Sequence, residues 1–347
     1  MTNDNIQVRL AARPVGLPRD SDWDITREPV PSAADGQFVA EVLYISLDPA
    51  MRGWMDAGRS YIEPVEIGDV MRAGGIARVV ESKLPQYAVG DFVFCMTGVQ
   101  QYCVSDGVGA RKVNPDIAPL PTFLGVLGMT GMTAYFGLLD IAALEDGETV
   151  VVSGAAGAVG SVVGQIARIH GCHVVGIAGG KRKCAYLVDE LGFSAAIDYK
   201  NDDLARALRT HCPDGVDVFF DNVGGETLDA VLTRLRLHAR IAICGAISQY
   251  NNTGPVSGPS NYLSLLVNRA RMEGFVVFDF ADRYAEAGKT MAGWLQAGKL
   301  KSREQIEDGV ENFPRVFLKL FEGGNFGKLI LRNTAATGDS ETPVQKT

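Results

Sequence analysis

The stretch Val150-Val151-Val152-Ser153-Gly154-Ala155-Ala156-Gly157-Ala158-Val159-Gly160-Ser161 decides the fold. Its valines read as a buried strand, its glycines as a tight turn, and the small apolar residues after them as the opening of a helix. A dinucleotide pyrophosphate needs that order. The backbone must turn sharply and come close to the phosphates, and a helix N-terminus must point free N–H groups at them. The spacing is GxxGxxG, a variant of the commoner GxGxxG. The glycines alone would also suit a helix-packing surface, but the strand before and the helix after them favour binding.

Working outward, strand and helix patterns alternate from about residue 128. Val174–Ile177 precedes a helix over 181–191, Ala195–Ile197 one over 202–210, and Val216–Phe220 one over 226–236. Ala239–Cys244 follows, Phe275–Val277 is expected as a sixth strand, and 281–298 as a helix. Such units predict an α/β fold, a Rossmann-type doubly wound parallel sheet with helices on both faces. Before residue 125, short apolar runs (Phe38–Val42, Gly75–Val80, Asp91–Cys95) are separated by Gly, Pro and Asp, which predicts a mostly β, barrel-like domain. Residues 316–331 return to apolar, turn-like character and are expected to rejoin that first domain; the polar tail 333–347 is expected to fray. The expected division is 1–127, 128–303 and a C-terminal return over 304–347.

The 347 residues are 46% hydrophobic and 21% charged with a net charge of −8. That suits a folded, core-forming chain and argues against nucleic-acid or anionic-membrane binding. No apolar run reaches membrane length, and the N-terminus lacks the apolar core of a signal peptide. The six cysteines form no CxxC pair, so a disulfide framework is not indicated and the cytoplasm is the expected setting. All four histidines (His170, His173, His211, His238) lie in the second half, and no four-cysteine lobe exists, so a zinc-independent chemistry with no metal ligands is expected.

The end of the second strand selects the cofactor. An NAD site usually carries a carboxylate there for the ribose hydroxyls. This chain reads Ile177-Ala178-Gly179-Gly180-Lys181-Arg182-Lys183, with no carboxylate and three cations. Cations attract a 2′-phosphate and oppose the dipole of the helix they open, which favours NADP(H) over a merely solvated turn. Asp221–Gly225 and Cys244–Tyr250 fall at predicted strand C-termini on the same ligand-binding edge.

Five further segments complete a resemblance. They are Ser46–Gly53 (SLDPAMRG), Gly128–Leu138 (GMTGMTAYFGL), Phe220–Gly225 (FDNVGG), Cys244–Asn251 (CGAISQYN) and Gly324–Lys328 (GNFGK). Together with the glycine turn they resemble the zinc-independent medium-chain dehydrogenase/reductases of the prostaglandin reductase, alkenal double-bond reductase and curcumin reductase family. The resemblance implies a GroES-like catalytic domain beside the Rossmann domain, and NADPH-dependent reduction of the C=C bond of α,β-unsaturated ketones and aldehydes. It implies that Gly157, Ala158, Val159 and Gly160 hold the pyrophosphate, and that Lys183 and Tyr199 hold the 2′-phosphate. It further implies that Asn222, Cys244, Gly245, Ala246, Ile247, Ser248, Tyr250, Phe275, Val276, Val277 and Asn325 surround the ribose and nicotinamide. Arg182 is added from charge alone. A homodimer paired through the sheet edge near Phe275–Val277 would also resemble the family.

One position departs. The family usually places Tyr where this chain has Ala50, which widens the substrate pocket; Tyr44 and Tyr262 are the candidates for a replacement hydroxyl. Tyr250 is the candidate catalytic donor to the oxygen on which enolate charge develops, the alternative being a tyrosine that only packs on the cofactor. A quinone reductase of the same fold and a non-catalytic NADPH-binding protein are the rival functions.

Overall fold

The computed structural model describes residues 4–336. The first part of the chain supplies β1 (Asp4–Leu10), β2 (Trp23–Pro29), β3 (Phe38–Ser46), β4 (Gly74–Ser82), β5 (Phe92–Met96), β6 (Tyr102–Ser105) and β7 (Arg111–Lys112). The middle supplies β8 (Thr149–Ser153), β9 (His173–Ala178), β10 (Ala195–Asp198), β11 (Val216–Asp221), β12 (Leu235–Ile243) and β13 (Arg271–Gly274). β14 (Glu304–Asp308) and β15 (Lys328–Arg332) follow.

The middle strands form one sheet in the order β10-β9-β8-β11-β12-β13, parallel throughout. The chain starts at the centre with β8, builds outward to β10, then crosses back and builds outward from β11. Val150, Val151 and Val152 are fully buried because helices cover both faces, as a continuous β-branched run requires. The helix Gly160–Ile169 packs on this sheet, and Phe193 fills the space left by Gly164, where a Cβ would lie 1.9 Å from the ring.

The other large sheet runs β14-β15-β3-β4-β5-β7, with β6 also on β3. All nine residues of β3 are buried, since it pairs with β15, β4 and β6. The C-terminal strands β14 and β15 thus join a sheet otherwise built from the first part of the chain. Trp23 meets Phe313 edge-on at 5.1 Å in the core beneath it. Lys328, 2% exposed, reaches from β15 to Asp48 Oδ1 at 2.6 Å and the Leu47 carbonyl at 3.1 Å, and Ser46 also donates to Asp48. This buried ion pair fixes the segment that carries Ala50.

Several boundaries differ from the sequence expectation. The sixth strand is Arg271–Gly274 rather than Phe275–Val277. It is an exposed edge strand of polar composition, which an apolar-run criterion passes over. The Phe275 ring instead packs against Phe220, in space that a Cβ on Gly137 would occupy. The helix expected over 226–236 ends at Leu232, because β12 starts at Leu235. The segment expected to be turn-like holds the last turn of the helix Phe313–Leu318 and most of β15. The start of the expected frayed tail is anchored: Asn333, 4% exposed, donates to the Val42 carbonyl at 2.8 Å and accepts from Gln101. Residues 337–347 of that tail lie outside the described residues.

Candidate active site

The reversal of strand order between β8 and β11 opens a crevice at their C-terminal ends. Its two sides are tied together. Ser153 Oγ donates to Asp221 at 2.7 Å, the Asn222 N–H donates to Ser153 Oγ at 2.8 Å, and Asn222 Nδ2 donates to the Ser153 carbonyl at 2.7 Å. Asp221 also accepts the N–H groups of Val223 and Gly224. Burial raises its carboxyl above the ordinary value, against the opposing pull of Ser153 and those N–H groups.

The glycine turn leaves β8 with Gly154 at φ +58°, a left-handed conformation suited to glycine. A Cβ on Gly160 would lie 2.5 Å from the Gly154 carbonyl oxygen and 2.8 Å from the Ala155 Cα. Among the described residues, no acceptor meets the N–H groups of Ala158, Val159 and Gly160. Orphan donors at a helix start are the kind of group that suits a phosphate. The turn also touches the C-terminal return: the Gly327 N–H donates to the Ala156 carbonyl at 2.9 Å. Gly160→Ala has only backbone to push against, so it is expected to cost about 1–3 kcal/mol of stability and to weaken dinucleotide binding. Thermal unfolding and an NADPH titration measure the two effects.

At the ends of β9 and β10, two lysines converge. Lys183 Nζ donates to the Gly323 carbonyl at 2.9 Å, and its ammonium is held below the ordinary lysine value by burial and then by Lys200. A Cβ on Gly179 would lie 2.9 Å from the Tyr199 ring and 3.0 Å from Lys200 Cε, so Gly179 lets both side chains fold over the loop. Asp198 is occupied by the Gly180 and Lys200 N–H groups, which lower its pKa together with Asn201. Arg182 takes a different partner, the ring of Phe326 at 5.6 Å, which Arg303 covers at 4.0 Å. The sequence reading passed over Lys200, although a cation one residue after Tyr199 was its visible signal.

Beyond β12, Cys244–Tyr250 wraps back over the crevice. The Ile247 and Ser248 N–H groups donate to the carbonyls of Asn222 and Val223. The Tyr250 hydroxyl accepts the Ala246 N–H at 3.2 Å, and a Cβ on Gly245 would sit 2.8 Å from that hydroxyl. Burial raises the phenol above its ordinary value, and it pushes the Cys244 thiol up to about 12, so both are neutral near pH 7. Val277 is backed by Tyr284, whose hydroxyl donates to its carbonyl at 2.9 Å. Asn325 sits in the loop before β15, within 3.4 Å of the Gly327 carbonyl.

The residues named for the substrate pocket are dispersed. Ala50 is half-buried at the start of the short helix Met51–Trp54. Tyr44 is buried in β3. Tyr262 is exposed at the start of the helix Leu263–Asn268, beside Leu263 and Leu266.

Residues 6–113 match the N-terminal domain of oxidoreductases, and residues 158–293 match the zinc-binding dehydrogenase domain. The NADPH-dependent curcumin reductase of Escherichia coli is 43% identical, over 93% of this chain and 95% of its own. Prostaglandin reductase 1 of Rattus norvegicus is 44% identical, over 91% and 95% respectively. The chain belongs to the prostaglandin reductase, alkenal reductase and curcumin reductase family of medium-chain dehydrogenase/reductases. The crystal structure of CurA from Vibrio vulnificus in complex with NADPH superposes with a TM-score of 0.90 at 43% identity, covering 95% of this chain and 99% of that one.

The second domain's family description mentions zinc, but the side chains do not fit that ion. Among the described residues, no group of three or more His, Cys, Asp or Glu is placed to hold a metal. His170 faces Asp146 at 2.8 Å, and His173 Nε2 lies 2.9 Å from the His211 carbonyl.

Proposed function

We propose that the protein is an NADPH-dependent reductase of the C=C bond in α,β-unsaturated ketones and aldehydes. The observation that carries this reading is the half-buried, protonated phenol of Tyr250 at the switch-point crevice, on the same sheet edge as the orphan N–H groups of the glycine turn and the Lys183–Lys200 pair. The orphan N–H groups of Ala158–Gly160 suit the pyrophosphate. Lys183, Tyr199 and Lys200 suit a 2′-phosphate. Asn222, Cys244–Ser248, Phe275–Val277 and Asn325 are assigned to the ribose and nicotinamide.

NADPH, when bound, supplies the hydride that the substrate β-carbon receives. Tyr250 donates a hydrogen bond to the substrate carbonyl oxygen, where negative charge grows as the β-carbon is reduced. The Ala246 N–H, bonded to the same hydroxyl, polarises it toward donation. The α-carbon then takes a proton from water or a tyrosine. NADPH oxidation against alkenals, aryl enones, 15-keto lipids and quinones tests the reading: enones and enals should be turned over in preference to quinones. Preference for quinones would assign the rival activity, and tight NADPH binding without any oxidation would remove the catalytic one.

The proposed division of the chain is 1–127 (catalytic), 128–303 (cofactor) and 304–347 (return). The proposed setting is the cytoplasm, whose reducing poise suits six free thiols. A homodimer is also proposed. β13 is an exposed edge strand, and beside it Leu263, Leu266 and Val267 are 58%, 75% and 69% exposed. Sedimentation should give a dimer, and Leu266→Glu should give monomers.

A further inference from the structure

Loop 322–327 of the C-terminal return meets the nucleotide-binding segments at both ends. The Gly323 carbonyl accepts the Lys183 ammonium at 2.9 Å, and the Gly327 N–H donates to the Ala156 carbonyl at 2.9 Å, where Gly327 also bridges to Gly157. Its sequence, Glu322-Gly323-Gly324-Asn325-Phe326-Gly327, offers little to hold that course. Gly323 and Gly327 are left-handed, at φ +69° and +72°, and a glycine-rich backbone loses much conformational freedom when it is fixed. Phe326 is the single bulky apolar side chain available to order it.

Three side chains converge on that ring. The Arg303 guanidinium lies 4.0 Å from its centroid, the Tyr186 ring meets it edge-on at 4.6 Å, and the Arg182 guanidinium lies at 5.6 Å. Arg303 also covers Tyr186 at 5.0 Å, and the Phe326 N–H donates to Gln305 Oε1 at 2.9 Å. Arg182 and Lys183 share the helix Lys181–Ala185, which Tyr186 continues, whereas Arg303 and Gln305 flank the first residue of β14. Tyr186 is buried and Phe326 half-buried, so water screens these contacts only in part. Cation–π and edge-on aromatic contacts are modest singly, but here they fasten a flexible loop to the helix that carries Lys183.

We propose that Phe326 is a positioning residue for the dinucleotide. Clamped between Arg303 and Tyr186, it holds loop 322–327 in the arrangement that presents the Gly323 carbonyl to Lys183 and docks Gly327 on the glycine turn. The proposal rests on the assignment of Lys183 and that turn to NADPH. A loop that leaves this arrangement part of the time lowers the fraction of protein competent to bind, and the apparent dissociation constant rises in inverse proportion. Because the loop touches the glycine turn as well as Lys183, the loss falls on NADPH and NADH alike, which separates it from a loss of 2′-phosphate recognition.

Fluorescence titration of the full chain with each nucleotide, beside thermal unfolding without nucleotide, tests the clamp. Phe326→Ala should raise the Kd for NADPH and for NADH by a similar factor, about ten-fold. Phe326→Tyr keeps the ring and should hold both constants within about two-fold of the native chain. Arg303→Gln removes one face of the clamp and should raise both about three-fold, and it carries the test alone where Phe326→Ala fails to fold. Unchanged constants in Phe326→Ala or Arg303→Gln, even with a lower unfolding temperature, would reduce the ring to ordinary packing and overturn the proposal. A loss confined to NADPH would overturn it too, by placing the effect in 2′-phosphate recognition. Failure of the native chain to bind either nucleotide would sink the nucleotide assignment itself, and the proposal with it.

Discussion

Replacing Tyr250 by phenylalanine is expected to lower kcat for enone reduction about a hundred-fold, with the NADPH dissociation constant nearly unchanged. That magnitude is typical for loss of one preorganised donor aimed at a developing oxyanion. The ring remains and still packs against the Cys244–Ala246 turn; only the oxygen that accepts the Ala246 N–H is removed. A role limited to packing on the cofactor would leave kcat intact, so full activity in Tyr250→Phe would remove the catalytic assignment. The same phenol sets a pH expectation. Because burial raises its pKa above 10.0, it remains a donor throughout the neutral range, and kcat should show no loss from its ionisation between about pH 6 and 9.

Charge reversal at Lys183 should have a comparably large effect on the other substrate of the reaction. For Lys183→Glu, kcat/KM with NADPH is expected to fall about a hundred-fold while that with NADH changes little, because only the former carries a 2′-phosphate. Lys200→Ala should show the same selectivity with a smaller loss, about five-fold, since Lys200 is the more exposed of the two. Equal effects on both nucleotides would place the 2′-phosphate elsewhere.

The pH dependence follows from the sign of the shift. Burial and Lys200 hold Lys183 below 10.5, so its positive charge is present at neutral pH and is lost as pH rises through that lowered value. The KM for NADPH should therefore climb on the alkaline side while the KM for NADH stays flat. A bound 2′-phosphate favours the charged form, so binding should take up protons in that window.

The legibility of this protein was uneven for physical reasons. The valine run and glycine turn were readable because a strand buried on both faces must be continuously apolar, and a close phosphate approach excludes side chains. The cation stretch was readable because charge type selects the nucleotide. Arg182 shows the limit of that argument: three adjacent cations look equivalent in sequence, yet Lys183 reaches Gly323 while Arg182 stacks on Phe326. Edge strand β13 was misplaced onto Phe275–Val277, since a solvent-facing strand carries no apolar signature. Phe326 was visible only as part of a motif. Its partners Arg182, Tyr186 and Arg303 come from segments far apart in the chain, and only folding brings them to one ring.

The sequence by itself determined the repeating strand–helix order, the glycine turn after β8, the NADPH dependence and the family. These rest on local periodicity and on residue types that one backbone segment imposes. Tertiary structure decided what depends on segments far apart in the chain. It brought β14 and β15 back onto β3 and buried Lys328 against Asp48. It joined Ser153 to Asp221 across the switch point and set Lys200 beside Lys183. Each is a contact between residues whose side-chain chemistry is ordinary in isolation and becomes specific only when burial removes water and fixes the partner.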